Sequence, residues 1–527
     1  MPATAALSRD LVDGQYVGAF QLKEQIVYVR VEFRTEAGAT KLTVHSMMPG
    51  ASGAITDVHV ESSRVHFELP RDSERLVFEG RLKGDMISGS VRQNENRGTF
   101  QFVRSVQVSS EAYDEYAGAY ELQPNSFVFI RRGDRLRQEL PYSIEESFLS
   151  YVQESGERRI LYPSSANSFF SGPTYVVPVP VNVRVTFLRT KTGGIDGLVW
   201  SEQGHSERIA KRSNLYREES VRFQSGETRL GCRLLVPSRP GSHPAVILIH
   251  GYGAANRNEG YLIPADFFAR HGIAALVCDK RGTGASTGNW HDTSPSNLAD
   301  DVLAGVEFLR GRKDINSKQV GLWAMSAGGP IAALVAARVR DLAFLILVSA
   351  TILPTEERYL MMTEDWAQAA GFSAEEVKEA IAFAKLEMQF GTTGQGWEEL
   401  EAAILSARNK RWFSRTWTSV FGATSKDHGH WRELRRHAQD NPESGFKKIS
   451  CPVLAIFGEF DTAVRPAPNI ERLQSALMYA GNQDFTLKVF PNTGHHLLLG
   501  RTGGRTYVPG YFDVMTEWLL KRASVPR

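Results

Sequence analysis

Cysteine is scarce in this 527-residue chain: Cys232, Cys278 and Cys451 are all it has. Three thiols without C-x-x-C spacing cannot make a disulfide framework. Cys278 and Cys451 sit in or beside the apolar runs AALVCD and CPVLAIF, where a reduced, buried thiol is expected. An excess of one charge is missing too. Lys and Arg total 61 against 59 Asp and Glu, a net charge of +2. So small a balance argues against a phosphate-backbone footprint for nucleic acid and against a polybasic membrane patch. Long apolar runs are also lacking; the stretch at 343–350 is far too short to span a bilayer. The N-terminal MPATAALSRDLVDG has no basic region leading into an apolar one, so no signal peptide is expected. The cytoplasm is the expected location, although a chain already trimmed of a leader would read the same way.

What remains is ordinary globular material, 42% hydrophobic and 23% charged. At roughly 150 residues per domain the length suits three or four domains, or one large and two small. The first 215 residues or so read as short alternating runs: Ile26–Phe33, Lys41–Val44, Val58–Val60, Val65–Leu69, Leu76–Phe78 and Thr99–Val103. Gly80, Gly84, Gly89 and Gly98 look like punctuation between them. A second set starts at Tyr113–Tyr120 and continues through Ser126–Ile130, Arg158–Tyr162, Val181–Phe187 and Gly197–Trp200. Period-two alternation of this kind predicts antiparallel barrels or sandwiches. The phrases YVGAFQL at 16–22 and YAGAYEL at 116–122 suggest two related modules, 1–107 and 108–214. Three roles stay open for them: restricting access to an active site, joining copies into a homo-oligomer, or binding a polymer surface.

From about residue 215 to 527 the grammar changes to near-continuous apolar strands alternating with helical segments, as a sheet covered on both faces requires. The strands are Ala245–His250, Ala274–Asp279, Val320–Ser326, Ala343–Ala350, Pro452–Asp461 and Phe485–Pro491. A helix over 296–311 has Ser294 as its cap and Pro295 at its first position. Residues 352–445 interrupt the alternation with a polar, aromatic and mostly helical insertion.

Within this α/β region GLWAMSAGG at 321–329 puts Ser326 between a buried strand and a helix. The residues two positions away must be small, because strand and helix backbones meet there. Gly328 satisfies this; Ala324 replaces the usual glycine with a single methyl. HGYG at 250–253 follows another strand, and its backbone N–H groups can face a cavity. The oxyanion donors are therefore the amides of Tyr252 and Ala327. A hydroxyl needs a base, and a base needs an orienting acid. FGEFDTAVRP supplies Asp461 at a strand end, and FPNTGHHLLL supplies His495, with Glu459 and His496 as their competitors. The order Ser326, Asp461, His495 is the one this topology demands.

HGYGAANRNEG, DKRGTGASTG, GLWAMSAGG, CPVLAIFGEFDTAV and PNTGHH together resemble the α/β-hydrolase superfamily, in particular bacterial serine esterases with an inserted helical cap. The resemblance covers roughly the last 310 residues and implies carboxylester hydrolysis through an acyl-enzyme, with a small-molecule ester as partner and neither cofactor nor metal. The N-terminal halves weakly resemble the lipocalin-like β modules found ahead of some bacterial hydrolases. The same catalytic residues would also serve an amidase or peptidase, a thioesterase or an acyltransferase. A binding protein on an inactive hydrolase scaffold is the rival of another class.

Other patterns read as structural. DKRGTGASTG has Thr287 where a dinucleotide fingerprint needs its third glycine, so it is a turn. Asp427, His428, His430 and His437 lack metal-ligand spacing and read as solvated loop. The insertion holds Trp366, Trp397, Trp412, Trp417 and Trp431. Most are expected to dock its helices on the sheet, and some, with Met361 and Met362, to line an apolar pocket.

Overall fold

The computed structural model describes residues 12–522 except 24, 37–38, 45–52, 56–57, 72–73, 125, 135–146, 154–157, 173–180, 258–260, 439–441 and 501–506. The chain divides into two units, residues 1–214 and 215–527.

The first unit holds two antiparallel bodies. Nine strands between Gly14 and Ser105 form one sheet, with Gly14–Leu22 paired to Gln25–Glu36 on one side and Asn96–Ser105 on the other. Alternate residues face inward and build an aromatic core of Phe20, Phe33, Phe67, Phe78, Phe100 and Phe102. Gly84 does mark a turn, whereas Gly80, Gly89 and Gly98 lie inside strands, so they do not punctuate intervals. At these points neighbouring chains leave no room for a Cβ.

The second body is a closed barrel of eight strands joined in sequence order, from Gly118–Gln123 to Arg208–Ser213, which pair to seal it. The expected strand over Tyr113–Tyr120 divides: Tyr113–Tyr116 is a single helical turn and the strand begins at Gly118. The turn arises because Tyr113 and Tyr116 both point into the barrel core, a spacing of three that a strand cannot provide. Val17 and Val103 of the first body share a small core with Tyr162, Phe170 and Val181 of the second. Arg184 reaches Asp85 across the same boundary at 2.8 Å.

The second unit is built on an eight-stranded sheet. Its strands are β1 (Tyr216–Ser225), β2 (Thr228–Pro237), β3 (His243–Ile249), β4 (Ala274–Cys278), β5 (Ile315–Met325), β6 (Leu345–Val348), β7 (Val453–Gly458) and β8 (Phe485–Phe490). The spatial order is β1-β2-β4-β3-β5-β6-β7-β8. The β1–β2 hairpin is antiparallel, as is its junction with β4; every pairing from β4 to β8 is parallel. Period-two side chains supply two cores. Ile247, Ile249, Leu322 and Ala324 face one, with α2 (Pro295–Arg310), α3 (Gly328–Arg338) and α10 (Pro466–Tyr479). Val246, Leu248 and Trp323 face the other, with α1 (Leu262–Arg270) and α11 (Tyr511–Leu520). Ser294 caps α2 through a reciprocal bond with Asn297, and Pro295 opens it.

Among the described residues six α-helices are inserted between β6 and β7: α4 (Thr355–Ala369), α5 (Ala374–Thr393), α6 (Trp397–Ala407), α7 (Trp417–Phe421), α8 (Gly429–His437) and α9 (Pro442–Phe446). They have a core of their own. Trp397, Trp412, Trp417 and Trp431 pack with Phe383, Phe390 and Leu400, so these rings bind the insertion chiefly to itself, and Trp417 alone of the four also faces Tyr252 beyond β3.

Cys278 is not a free thiol. The antiparallel register sets Cys232 of β2 opposite Cys278 of β4, and the two form a disulfide. Pairing across 46 residues depends on strand order, which apolar runs do not reveal. Cys451 is free and buried, and burial pushes its thiol up to about 12.

Candidate active site

The carboxyl end of β5 turns sharply into α3, and Ser326 occupies the turn with φ of 53°. Left-handed backbone costs a non-glycine residue roughly 1–2 kcal/mol, and such strain persists only where surrounding bonds enforce it. Here Ser326 N–H donates to Val348, and its carbonyl accepts from Gly329 and Thr351 at 3.0 and 3.1 Å. A Cβ at Gly328 would lie 2.8 Å from the carbonyl oxygens of Ile249 and His250, so only glycine lets α3 start this close to β3. Ala324 is fully buried beside Ile249 and Leu347, and its methyl is accommodated on the core face.

These carbonyl bonds also aim amides. In a trans peptide the C=O of one residue and the N–H of the next point in opposite directions. The Ser326 carbonyl is tied to Gly329 and Thr351, which turns the Ala327 N–H the other way. The Gly251 carbonyl accepts from Lys280 Nζ at 2.9 Å, which does the same for the Tyr252 N–H. Lys280 donates again to Gly253 at 2.7 Å, and the Tyr261 hydroxyl accepts from Gly251 N–H at 2.7 Å. Tyr252 and Ala327 line one cavity with Pro330, Leu334, Leu353 and Trp417. Trp417 is the tryptophan of the insertion that reaches this lining.

Asp461 is 3% exposed, just beyond β7. Its Oδ1 accepts from the backbone N–H groups of Ala463 and Val464 at 2.9 and 2.8 Å, and its Oδ2 lies 2.8 Å from His495 Nδ1. The loop after β8 carries His495 close because Gly458 has no side chain; a Cβ there would meet the Gly494 carbonyl at 2.3 Å. The competitors are placed elsewhere. Glu459 accepts from Asn492 N–H, and His496 is exposed and only edge-on to His495. Among the described residues no hydrogen bond joins Ser326 Oγ to His495. In enzymes without substrate such bonds are commonly long and tighten on binding.

The segment around His430 is not solvated loop. His430 is 1% exposed on α8, stacked on Phe421, with Nδ1 3.0 Å from the Tyr252 hydroxyl. Burial lowers its pKa to about 3, so the ring is neutral. The Tyr252 side chain is thus anchored to the insertion, with buried Glu433 beside it. Among the described residues no group of three His, Cys, Asp or Glu could hold a metal ion. Asp279, from DKRGTGASTG, accepts from Arg257 and Ala285 N–H at 2.7 Å each and so stitches that turn together. Sequence reading missed two residues here. Lys280 is legible in hindsight as a charge ending a buried strand; Arg358, which also lines the cavity, carries no motif.

The sheet order and the serine at its strand-to-helix turn define an α/β-hydrolase. Residues 241–501 match the family model described as Serine aminopeptidase, S33. A polyketide transferase, grgF, of Penicillium sp is 31% identical over 112 residues, 21% of this chain and 37% of that protein. An acyltransferase, drtE, of Aspergillus calidoustus is 28% identical over 116 residues, 22% of this chain and 37% of its own. The chain thus spans a little over a third of the length of these relatives. Among solved structures, the Pyrococcus furiosus esterase Pf2001 aligns at a TM-score of 0.38 and 18% identity, covering 58% of this chain and 91% of that one. GrgF from Penicillium sp. sh18 aligns at 0.38 and 18%, covering 58% and 99%.

Proposed function

We propose that residues 215–527 form a serine hydrolase that cleaves small carboxylic esters through an acyl-enzyme, with the helical insertion as a cap over its cavity. The observation that carries this reading is the pair of amides, Tyr252 and Ala327, whose carbonyl sides are tied back while both residues line the cavity beside Ser326. Preset donors of this kind stabilise an oxyanion with no reorganisation during reaction. Ser326 Oγ attacks the ester carbonyl as His495 Nε2 takes its proton. His495 then gives that proton to the departing alcohol, and water repeats the sequence to release the acid. Asp461 holds the imidazole in the tautomer protonated on Nδ1 and stabilises its cationic form; it takes no proton itself.

Ser326→Ala tests the reading. It should abolish turnover of 4-nitrophenyl butyrate and labelling by a fluorophosphonate while the melting curve stays the same. Undiminished hydrolysis by that variant would reject it.

Acyl transfer is the second reading, favoured by the two relatives named for it. The same acyl-enzyme would then be relieved by an alcohol or amine in place of water. Product partitioning with an added alcohol separates the two, and matched ester and amide substrates separate both from a peptidase.

A further inference from the structure

The cavity beside Ser326 has a cation in its wall. Arg358, on the first helix of the insertion, lines it together with Tyr252 and Ala327. Among the described residues its guanidinium forms no ion pair and no side-chain hydrogen bond. Three carboxylates near in sequence are engaged elsewhere, Glu364 and Asp365 with Arg465 and Glu357 with Arg472, and Glu356 is exposed with no ion pair to Arg358 among the described residues. What Arg358 does meet is the face of Trp417, 5.9 Å from its guanidinium carbon. Trp417 in turn stacks on Tyr359 at 3.8 Å, which fixes the platform. The charged or titratable groups that act on it are Tyr252, Tyr359 and Asp461. Of these, Asp461 is committed to His495 and two backbone amides, and the Tyr359 hydroxyl to Glu387. His437 also lines the cavity, and burial, with Lys280 and Arg358 nearby, lowers its pKa to about 4, so at neutral pH the ring is uncharged and cannot serve as a counter-ion.

The rest of the lining is mostly apolar, Pro295, Pro330, Leu334, Leu353 and Leu434, with the hydroxyl residues Thr351 and Thr355 among them. A half-buried cation in such a wall loses hydration unless an anion compensates, and a planar guanidinium matches a carboxylate in two-point geometry. We propose that Arg358 is the recognition site for a carboxylate carried by the ester substrate itself, with the apolar wall holding the hydrocarbon between that carboxylate and the scissile carbonyl. This inference rests on the hydrolase reading and narrows its substrate to esters bearing a second, free acid group, on the acyl or the alcohol side.

Three esters and two variants test it. The esters are 4-nitrophenyl hemiglutarate, with its carboxylate on the acyl side; the butyrate ester of 4-hydroxybenzoate, with it on the alcohol side; and neutral 4-nitrophenyl pentanoate. For Arg358→Gln, kcat/KM on at least one carboxylate ester is expected to fall about tenfold or more beyond any fall on the neutral ester, with Arg358→Lys between. The ester affected identifies the side. A differential of fivefold or less on both carboxylate esters overturns the proposal and leaves Arg358 a purely structural partner of Trp417. Calorimetric titration of glutarate into wild-type protein and both variants separates this from the parent reading. Wild-type protein that turns over none of the esters but binds glutarate at least tenfold more tightly than Arg358→Gln rejects the hydrolase reading and keeps the anion site. Turnover of the neutral ester with no Arg358-dependent differential in either measurement does the reverse.

Discussion

Lys280 holds Gly251 by its carbonyl, and through that one peptide plane it sets the direction of the next amide. The ammonium makes a second bond to Gly253, so a single side chain fixes both ends of the tight loop. Lys280→Met should therefore lower kcat by about 10–100-fold with little change in KM, less than the hundred- to thousandfold typical of removing a donor outright. Steady-state kinetics on 4-nitrophenyl butyrate checks this; a KM effect with kcat intact would assign Lys280 to substrate binding.

Asp461→Asn keeps the shape of the acid but favours the wrong imidazole tautomer. A loss of about ten-thousandfold in kcat is the expected scale for such a change. His495→Ala should cost at least as much, and the double variant little more, because the pair acts as one unit. An additive double loss, measured by active-site-titrated kinetics, would contradict that coupling.

Glu387 gives the insertion its own pH dependence. The side chain is fully buried, and burial raises its pKa to about 7 despite the bonds it accepts from Tyr359 and Thr418. In the folded state it therefore keeps a proton that the unfolded chain, near 4.5, has lost. Its contribution to stability is complete below about pH 4.5 and disappears as pH rises through about 7. An isosteric Glu387→Gln variant should thus gain on the wild type by about 3 kcal/mol between pH 4.5 and 8. Thermal melts across that range report the difference, and a pH-independent gap would contradict the argument.

The Cys232–Cys278 bond closes 46 residues of chain. Chain-entropy arguments assign a loop of that length up to about 4 kcal/mol. Reduction, or Cys232→Ser, should lower the melting temperature by several degrees. Cys278 directly precedes Asp279 and Lys280, so activity is expected to fall under reducing conditions before the fold is lost. Parallel melting and activity curves with and without reductant check both points.

What could be read from the sequence was what local pattern encodes. A buried run followed by Ser326, Ala327 and Gly328 spells a strand, a tight turn and a helix start, because each residue must fit its immediate neighbours. The apolar runs gave the parallel strands to within a few residues. The β1–β2 hairpin went unnamed, since its residues alternate with charges on a half-exposed edge. The disulfide and the place of Arg358 in the cavity depend on which elements become neighbours, and nothing in their own surroundings marks them; Lys280 shows locally as a charge ending a buried strand, but its bonds to Gly251 and Gly253 do not. The buried histidine at 430 misled for the same reason: polar flanks suggested water, and Phe421, Trp417 and Tyr252 arrive from distant stretches.

The eight-stranded barrel of the first unit has a bore just wide enough for its own side chains. Tyr120, Tyr151, Phe169, Phe187 and Trp200 fill it, and the Tyr116 turn packs against them. A body plugged with its own rings is a solid peg, not a cup. A guest in the lumen would have to displace the aromatic core that keeps the wall closed, which leaves the outward faces of the strands and the rims as the surfaces open to another molecule.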